Sequence, residues 1–279
     1  MAEQAVFGRM QLVRFYKGRI KNWLAARQLA QVLTKSCDER ILPQNPSSWP
    51  ASLKNPTAYY LNCVRFFHQK APGFLKNHRA YFRQNQRGFG EDAFHVMWYG
   101  LCQVCRPASF LEIGVYRGQV LSLVSLLAKS LDFDGFVCGV SPFTSAGDTV
   151  SKYSPSVDYW TDTLANFNAF DLGPPRLIKG MSDAKAVIQE FSSRSWDFIY
   201  IDGNHEYDVA KKDFLHCAKI LNPGGKIVLD DSALLTSYRP PLFATAGHPG
   251  PSRLAAEVNF FGFQEILQVG HNRVFQKKS

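Results

Sequence analysis

The chain has 279 residues, of which 46% are hydrophobic and 20% are charged. A chain of this length can bury a sizeable core, and this composition is typical of globular rather than disordered proteins. No apolar run approaches the roughly 20 residues of a membrane span, and no apolar signal core precedes a small-residue cleavage site. We therefore expect a cytoplasmic protein with no transmembrane segment.

Positive charge is concentrated in the first third of the chain. Residues 1–100 contain 15 Lys and Arg against 5 Asp and Glu, whereas residues 101–279 contain 17 against 18. A basic region can bind nucleic acid, a lipid headgroup or a phosphorylated substrate, and it can equally be a solvated helical face. We do not favour nucleic acid or a membrane surface, since no nucleic-acid-binding motif is visible.

The first 92 residues are predicted to be helical. Residues 5–35 carry a basic side and an apolar stripe at helical spacing: Val13, Tyr16, Ile20, Trp23 and Leu24. A proline-rich connector follows at 42–56, and residues 57–87 interleave aromatic and basic residues, a pattern that suits helices and can also stack bases. We expect residues 1–92 to cap the active site or to mediate homo-oligomerisation.

From about residue 93, short apolar segments alternate with helical ones. Repeated strand–helix alternation predicts an α/β domain over 93–279, with a Rossmann-like, doubly wound, mostly parallel sheet. Ligands of such sheets bind beyond the carboxyl ends of the strands. The predicted strands are 109–113, 135–140, 176–179, 196–201 and 226–229, with 263–269 and 273–276 as a closing pair.

A glycine-containing turn, Glu112-Ile-Gly-Val-Tyr-Arg-Gly118, follows the first of these strands. Gly114 permits a tight turn, and Gly118 lets the next helix begin close to a ligand. The G-x-x-x-G spacing differs from the G-x-G-x-x-G of dinucleotide folds, which argues against a nicotinamide dehydrogenase. The Glu112 carboxylate suits a cationic amino acid moiety and would repel a pyrophosphate. The turn predicts ligand binding without identifying the ligand.

Four segments together make the pattern more specific. They are residues 111–118, 179–183, 197–207 and 222–231. In this order they resemble class I methyltransferases that depend on S-adenosylmethionine (SAM), in particular the group of macrocin-type O-methyltransferases and cephalosporin-hydroxylase-like proteins. The resemblance covers residues 108–232 and implies methylation of a hydroxyl on a small polar or sugar-like acceptor.

The resemblance also implies a site for SAM. Met181 and Ser182 would border the adenine, and Asp202 would also touch the cofactor. Relatives usually carry an acidic residue for the ribose at the end of the second strand, where this chain has Ser141, which can make one hydrogen bond. Asp148 is an alternative ribose ligand. The methionine part of SAM would contact the turn: Glu112, Gly114, Val115, Tyr116 and Gly118.

Three carboxylates follow the fourth and fifth predicted strands: Asp202, Asp230 and Asp231. Neighbouring parallel strands bring these residues to one sheet edge, where their oxygens could hold Mg²⁺ and polarise an acceptor hydroxyl. The arrangement resembles that of metal-dependent O-methyltransferases. The alternative is that such residues cap the next helix or face solvent. We predict a magnesium site here, with Asp202 also catalytic.

Two histidines are candidates for the base that removes the acceptor proton. Relatives often carry an acidic residue near Asn204, but an amide cannot take a proton at neutral pH. His205 can, because an imidazole has a suitable pKa, although it could instead be structural. His248 is the rival, in a Pro- and Gly-rich loop that could act as a lid.

These observations predict a SAM-dependent methyltransferase that carries out Mg²⁺-assisted O-methylation of a small-molecule acceptor. The alternative is a non-catalytic module that keeps the SAM fold while its basic N-terminal region docks nucleic acid, a membrane or a protein partner. Ser141 and Asn204, which depart from the pattern of relatives, are the residues that favour the alternative.

Overall fold

The computed structural model describes residues 2–146, 150 and 153–278, with side chains described from residue 18 onward. Asp148 lies outside the described residues. The first third of the chain is helical, as the sequence predicts. Its helices are α1 (Ala2–Leu33), α2 (Trp49–Lys54), α3 (Pro56–Gln69), α4 (Gly73–Arg83) and α5 (Asp92–Cys105), with short 3₁₀ helices at Pro46–Ser48 and Gln84–Gln86.

The connector predicted at 42–56 contains helix α2 as well as irregular backbone. Pro50 and Pro56 stand in the first turns of α2 and α3, where a missing N–H costs no hydrogen bond. The Asn55 side chain accepts a hydrogen bond from the Ala58 N–H at 3.1 Å and caps α3. These prolines therefore begin helices rather than prevent them.

Apolar side chains of α1 lie on the surface of the chain. Ile20 and Trp23 are more than half exposed, and Leu24 is 40% exposed. Val13 and Tyr16, predicted for the same stripe, are outside the described side chains. Self-association through α1 stays a prediction, and none of the described helices is long and apolar enough to cross a membrane. Three residues near the end of α1 pack against the core: Leu29, Val32 and Leu33.

The rest of the chain forms a seven-stranded sheet in the order β3-β2-β1-β4-β5-β7-β6. Strands β1 to β5 pair in parallel, whereas β7 is antiparallel to both β5 and β6. This is the Rossmann-like, mostly parallel sheet that the sequence predicts. The strands are β1 (Ser109–Ile113), β2 (Phe136–Ser141), β3 (Arg176–Lys179), β4 (Trp196–Ile201), β5 (Leu221–Leu229), β6 (Phe263–Val269) and β7 (Asn272–Lys277).

Helices cover both faces of the sheet. They are α6 (Gln119–Leu131), α7 (Tyr159–Asn168), α8 (Lys185–Phe191), α9 (Tyr207–Ile220) and α10 (Pro249–Glu257), with a 3₁₀ helix at Val258–Phe261. Strand β5 begins before the predicted 226–229, because residues 222–225 also belong to it, and its pairing with β4 is irregular there. The Asn222 amide donates to the Asp197 carboxylate at 2.8 Å and ties this segment to β4.

Alternate residues along the strands face two separate cores. On β1, Phe110 belongs to the core beneath the N-terminal helices, whereas Leu111 belongs to the core on the opposite face. The Trp98 ring of α5 lies edge-on to Phe110 and Tyr200, with ring centroids 5.4 and 5.3 Å apart. The N-terminal helices therefore share a core with the sheet. The predicted division between residues 92 and 93 falls in the first turn of α5 and stays a prediction.

Replacing Gly100 by Ala should lower the free energy of unfolding by about 1–3 kcal/mol, because overpacking a tight contact forces the backbone to shift. A Cβ at Gly100 would stand 2.5 Å from the Gln44 nitrogen and 2.6 Å from the Pro43 carbonyl carbon. Gly73→Ala is the matched control, since no atom lies within 4 Å of its added Cβ. Guanidinium denaturation followed by circular dichroism checks this, and equal stability of the two variants would contradict the packing described.

Candidate functional site

A cavity of about 1150 Å³ opens at the carboxyl ends of the parallel strands. It lies beside β1 and β4, where the strand order reverses and ligands of open α/β sheets usually bind. Small-molecule sites occupy roughly 300–1,000 Å³, so this cavity has room for two reactants. Most of the predicted site residues line it: Glu112, Gly114, Tyr116, Ser141, Met181, Ser182, Asp202, His205, Asp230, Asp231 and His248.

The turn after β1 brings its backbone close to the end of β4. Gly114 has φ +103°, and a Cβ there would overlap the carbonyl oxygen of Asp202. Gly118, with φ +75°, begins α6, and a Cβ there would stand 2.7 Å from the Thr163 methyl group. Val115 is buried, and neither Val115 nor Gly118 lines the cavity. These two residues belong to the turn but lie away from the cavity, and contact between either of them and a cofactor stays a prediction.

Glu112 places a buried carboxyl group at the wall of the cavity. Its side chain is 3% exposed, and its Oε2 has no hydrogen-bond partner among the described residues. Burial, together with the nearby Asp230 charge, raises the pKa of Glu112 to about 8. An unpartnered acceptor of this kind fits a ligand that brings a positive charge or N–H donors.

The residues predicted for the ribose and adenine line the neighbouring part of the cavity. The Ser141 hydroxyl is buried and accepts a hydrogen bond from the Phe143 N–H at 3.1 Å, so it already fixes the turn after β2. Its own proton can still be donated to a ligand. Met181 is 38% exposed, and Ser182 is hydrogen-bonded to the buried Asp213 of α9. Their roles in cofactor binding stay predictions.

Asp202 and Asp230 lie side by side at the ends of β4 and β5 and share a hydrogen bond. Tyr200 donates to Oδ2 of Asp202 at 3.3 Å. Burial and the charges of Asp230 and Asp231 raise the pKa of Asp202 well above its usual range, because adjacent carboxylates with little solvent cannot all ionise. Asp202 therefore holds the shared proton more strongly than Asp230 does.

His271 supplies positive charge to the same edge. Its Nε2 lies 3.2 Å from Oδ1 of Asp230 and 3.7 Å from Oδ1 of Asp231. Burial acts to lower the pKa of His271, but the carboxylates of Asp230, Glu91 and Asp231 outweigh burial and raise it to about 10. His271 is therefore a cation at neutral pH.

His271 and its neighbour Asn272 were not among the predicted site residues, although the Asn272 amide donates to Asp230 at 2.7 Å. Residues 270–272 were predicted only to join the two strands of the closing pair. Because β7 runs antiparallel to β5, this turn comes to the carboxyl end of β5. A polar turn at that position is the pattern that could have identified both residues.

The two predicted base candidates meet at Asp231. Nε2 of His205 lies 2.8 Å from Oδ2 of Asp231, Nε2 of His248 lies 3.8 Å from the same oxygen, and the two imidazole centroids are 4.3 Å apart. Asp231 has φ +50°, a strained conformation for a non-glycine residue of the kind found at functional sites. Its carbonyl oxygen accepts the His248 N–H at 2.8 Å, which anchors the loop that carries His248. Asn204 accepts the Glu206 N–H at 2.7 Å, a turn contact at the start of α9.

The described residues offer two groups that could hold a metal ion, and both contain histidine. They are His205, Asp231 and His248, and Asp230, Asp231 and His271. Asp202 belongs to neither group, and the predicted set of Asp202, Asp230 and Asp231 stays a prediction. Mg²⁺ prefers oxygen ligands, whereas imidazole suits zinc and iron. The donors with two imidazoles therefore fit a transition-metal ion better than Mg²⁺.

The N-terminal region contributes a carboxyl group that the sequence analysis missed. Glu91 lines the cavity, and Tyr60 of α3 donates to its Oε2 at 2.6 Å. Burial raises the pKa of Glu91, although the His271 charge opposes this effect. Glu91 and Asp92 are the only acidic residues between Glu39 and Glu112, and this isolation within a basic stretch could have singled them out.

Replacing Glu112 by Gln should stabilise the ligand-free protein at pH 8 by about 4 kcal/mol and at pH 5 by less than about 1 kcal/mol. The pKa of Glu112 is raised from 4.5 to about 8 in the folded chain, so ionisation favours the unfolded chain as pH rises through that window. Guanidinium denaturation at both pH values checks this. Glu39→Gln, at an exposed carboxyl, is the control. Destabilisation of Glu112→Gln at pH 8 would mean that the carboxylate has a partner.

Comparisons with known proteins agree with this architecture. Residues 111–232 match the family model described as a methyltransferase domain, and no curated protein matches the chain. The O-methyltransferase from Bacillus cereus in complex with SAH superimposes with a TM-score of 0.54 at 14% identity, over 84% of this chain and 100% of that chain. The SAH-bound methyltransferase PaMTH1 from Podospora anserina gives 0.53 at 14% identity, over 77% and 92%. The chain therefore has the Rossmann-like fold of these methyltransferases, and residues 111–232 of it resemble a methyltransferase domain.

Proposed function

We propose that this protein transfers the methyl group of SAM to a hydroxyl group of a small acceptor. The observation that carries the proposal is that one cavity joins two complementary sites. The Glu112 carboxyl group, with its unpartnered Oε2, lies at the end of β1, and the His205–Asp231 pair lies beyond β4 and β5. SAM carries a cationic amino group and a sulfonium, which suit Glu112. The methyltransferase domain and its fold support the same reading.

Bound SAM would supply an electrophilic methyl group, and the protein would align the acceptor and take its proton. Alignment of oxygen, methyl carbon and sulfur is the main contribution that a protein makes to such a transfer. When Nε2 of His205 donates to Asp231, Nδ1 becomes the basic nitrogen of the ring. Asp231 orients His205 and stabilises the imidazolium that forms. His248, farther from Asp231, is the second candidate base.

A divalent ion in this cavity would be held by His205, Asp231 and His248. It would lower the pKa of a bound hydroxyl. The imidazole donors favour a transition-metal ion over the Mg²⁺ suggested by the sequence. Asp202 then acts as a neutral hydrogen-bond donor that positions Asp230, rather than as a ligand.

The acceptor would enter from the side formed by the N-terminal helices. Asn22 and Leu29 of α1 and residues 86–91 line the cavity there, which supports a capping role for residues 1–92. The resemblance of the four sequence segments to macrocin-type O-methyltransferases supports a small polar or sugar-like acceptor. The activity of a protein with this fold depends on such site residues rather than on the fold itself.

SAM and SAH should bind the wild-type protein, and Glu112→Gln should weaken SAH binding by about tenfold, or about 1.4 kcal/mol, since a charge-assisted contact is lost. Titration calorimetry measures both affinities, with Glu39→Gln as the control that keeps wild-type affinity. Failure of the wild-type protein to bind SAM would overturn the proposed function and favour a non-catalytic module.

His205→Gln should lower kcat by about 10²–10⁴-fold, because the general base is removed. The SAH dissociation constant should stay within about twofold of the wild-type value, since the substitution removes no cofactor contact. Methyl transfer from labelled SAM to the best acceptor in a panel of hydroxylated small molecules gives kcat. His248→Gln is the matched comparison and should cost less.

The same kcat measurement on EDTA-treated protein, with and without added Zn²⁺ or Mg²⁺, distinguishes a role of His205 as the base from a role as a metal ligand. Unchanged activity of His205→Gln in EDTA-treated protein would contradict the role of His205 as the base.

A further inference from the structure

The wall of the cavity on the side of the N-terminal helices is basic. Lys21 of α1, Arg83 at the end of α4 and Arg87 just beyond it all line the cavity. The strand ends bring the carboxyl groups of Glu112 and Asp231, among others, to the same cavity. The three cations belong to the stretch that gives the chain its positive balance, and Glu91 of that stretch also lines the cavity.

Two further arginines that line the cavity are paired with carboxylates. The Arg79 Nε donates to Asp92 at 3.0 Å. Arg117 forms a bidentate pair with Asp162, with distances of 2.6 and 2.7 Å, which joins the turn after β1 to α7. Both pairs are largely shielded from solvent. Their charges are therefore balanced within the protein, although Nη1 of Arg79 has no hydrogen-bond partner among the described residues.

The other three cations have no such commitment. Within the part of the chain that the structure describes, neither Lys21 nor Arg83 forms an ion pair with a carboxylate. Arg87 lies over the Tyr81 ring at 4.4 Å and donates to the carbonyl oxygens of Tyr81 and Gln84 at 3.4 Å. These contacts hold Arg87 in place without neutralising its charge.

Like charges gathered along a concave wall repel one another and raise the local concentration of anions. SAM has no phosphate group, and its one carboxylate is borne by the same carbon as the amino group that suits Glu112. The basic wall therefore suits the acceptor. Guanidinium groups favour phosphate oxygens, to which they can donate two hydrogen bonds at once.

We propose that Lys21, Arg83 and Arg87 form an anion subsite and that the acceptor is a hydroxylated small molecule bearing a phosphate group. This inference rests on the proposed function and names the substrate class of the same cavity. The phosphate binds at the basic wall, while the hydroxyl to be methylated reaches toward His205. The cavity volume of about 1150 Å³ accommodates such an acceptor together with SAM.

Titration calorimetry with the full chain, saturated with SAH at low salt, tests the subsite. The probes are inorganic phosphate, glucose 6-phosphate and glucose. Glucose 6-phosphate should bind and glucose should not, and the double variant Lys21→Gln/Arg83→Gln should weaken phosphate and glucose 6-phosphate binding by at least about tenfold. Arg87 is left intact because it also holds the Tyr81 segment.

The matched control is Arg27→Gln/Lys54→Gln, which removes the same charge from exposed residues outside the cavity. Equal phosphate binding by the two double variants would overturn the subsite. Weaker SAH binding by Lys21→Gln/Arg83→Gln alone would assign these cations to the cofactor instead. Tighter binding of a single-stranded RNA oligonucleotide than of glucose 6-phosphate would overturn the small-molecule class. Failure of SAH to bind wild-type protein, with phosphate binding intact, would refute the proposed function but not the anion subsite.

Discussion

Carboxyl groups crowd the ends of three neighbouring strands, and the arrangement of the site depends on how their charge is limited. Glu112 ends β1, Asp202 follows β4, and Asp230 follows β5. In surroundings with little solvent these groups cannot all ionise, because each charge opposes the next. A proton on Asp202 and the imidazolium of His271 relieve the repulsion. The antiparallel pair β6–β7 is therefore part of the site, since its turn supplies that imidazolium.

The same constraint explains why Glu112 is poised for a cationic ligand. Its pKa of about 8 means that the ligand-free site holds a proton at neutral pH. A positive charge beside the carboxyl lowers its pKa, so binding of such a ligand is coupled to release of that proton. The folded chain loses stability when the Glu112 carboxyl ionises with no cationic ligand bound. Such a loss is expected of a residue that serves binding rather than folding.

Much of the fold could be predicted because buried parallel strands leave a strong local pattern. The segments 109–113, 176–179 and 196–201 were predicted with the bounds that the structure has. Short apolar runs between helices carry this information locally. The positive φ of Gly114 was likewise readable from its place at a strand end.

Contacts between distant segments could not be read in the same way. The hydrogen bond between Asp202 and Asp230 depends on the burial of both groups, and the sequence does not show that burial. His271 and Glu91 come from segments 180 residues apart and meet only in the folded chain. Helix α2, which lies within the connector predicted at 42–56, was not predicted. Proline disfavours helix interiors but is well suited to the first turn, where Pro50 stands.

The N-terminal helices determine more than the outline of the cavity. Trp98 packs against β1 and β4, Tyr60 fixes the Glu91 carboxyl, and Lys21 and Arg83 give one wall its charge. None of these residues lies within the methyltransferase domain match at 111–232. Since a fold of this kind serves many acceptors, the choice of acceptor must be made by residues outside the shared segment. The charge that Lys21 and Arg83 bring to the cavity therefore belongs to helices outside that match, which distinguish this chain from the segment it shares with other proteins.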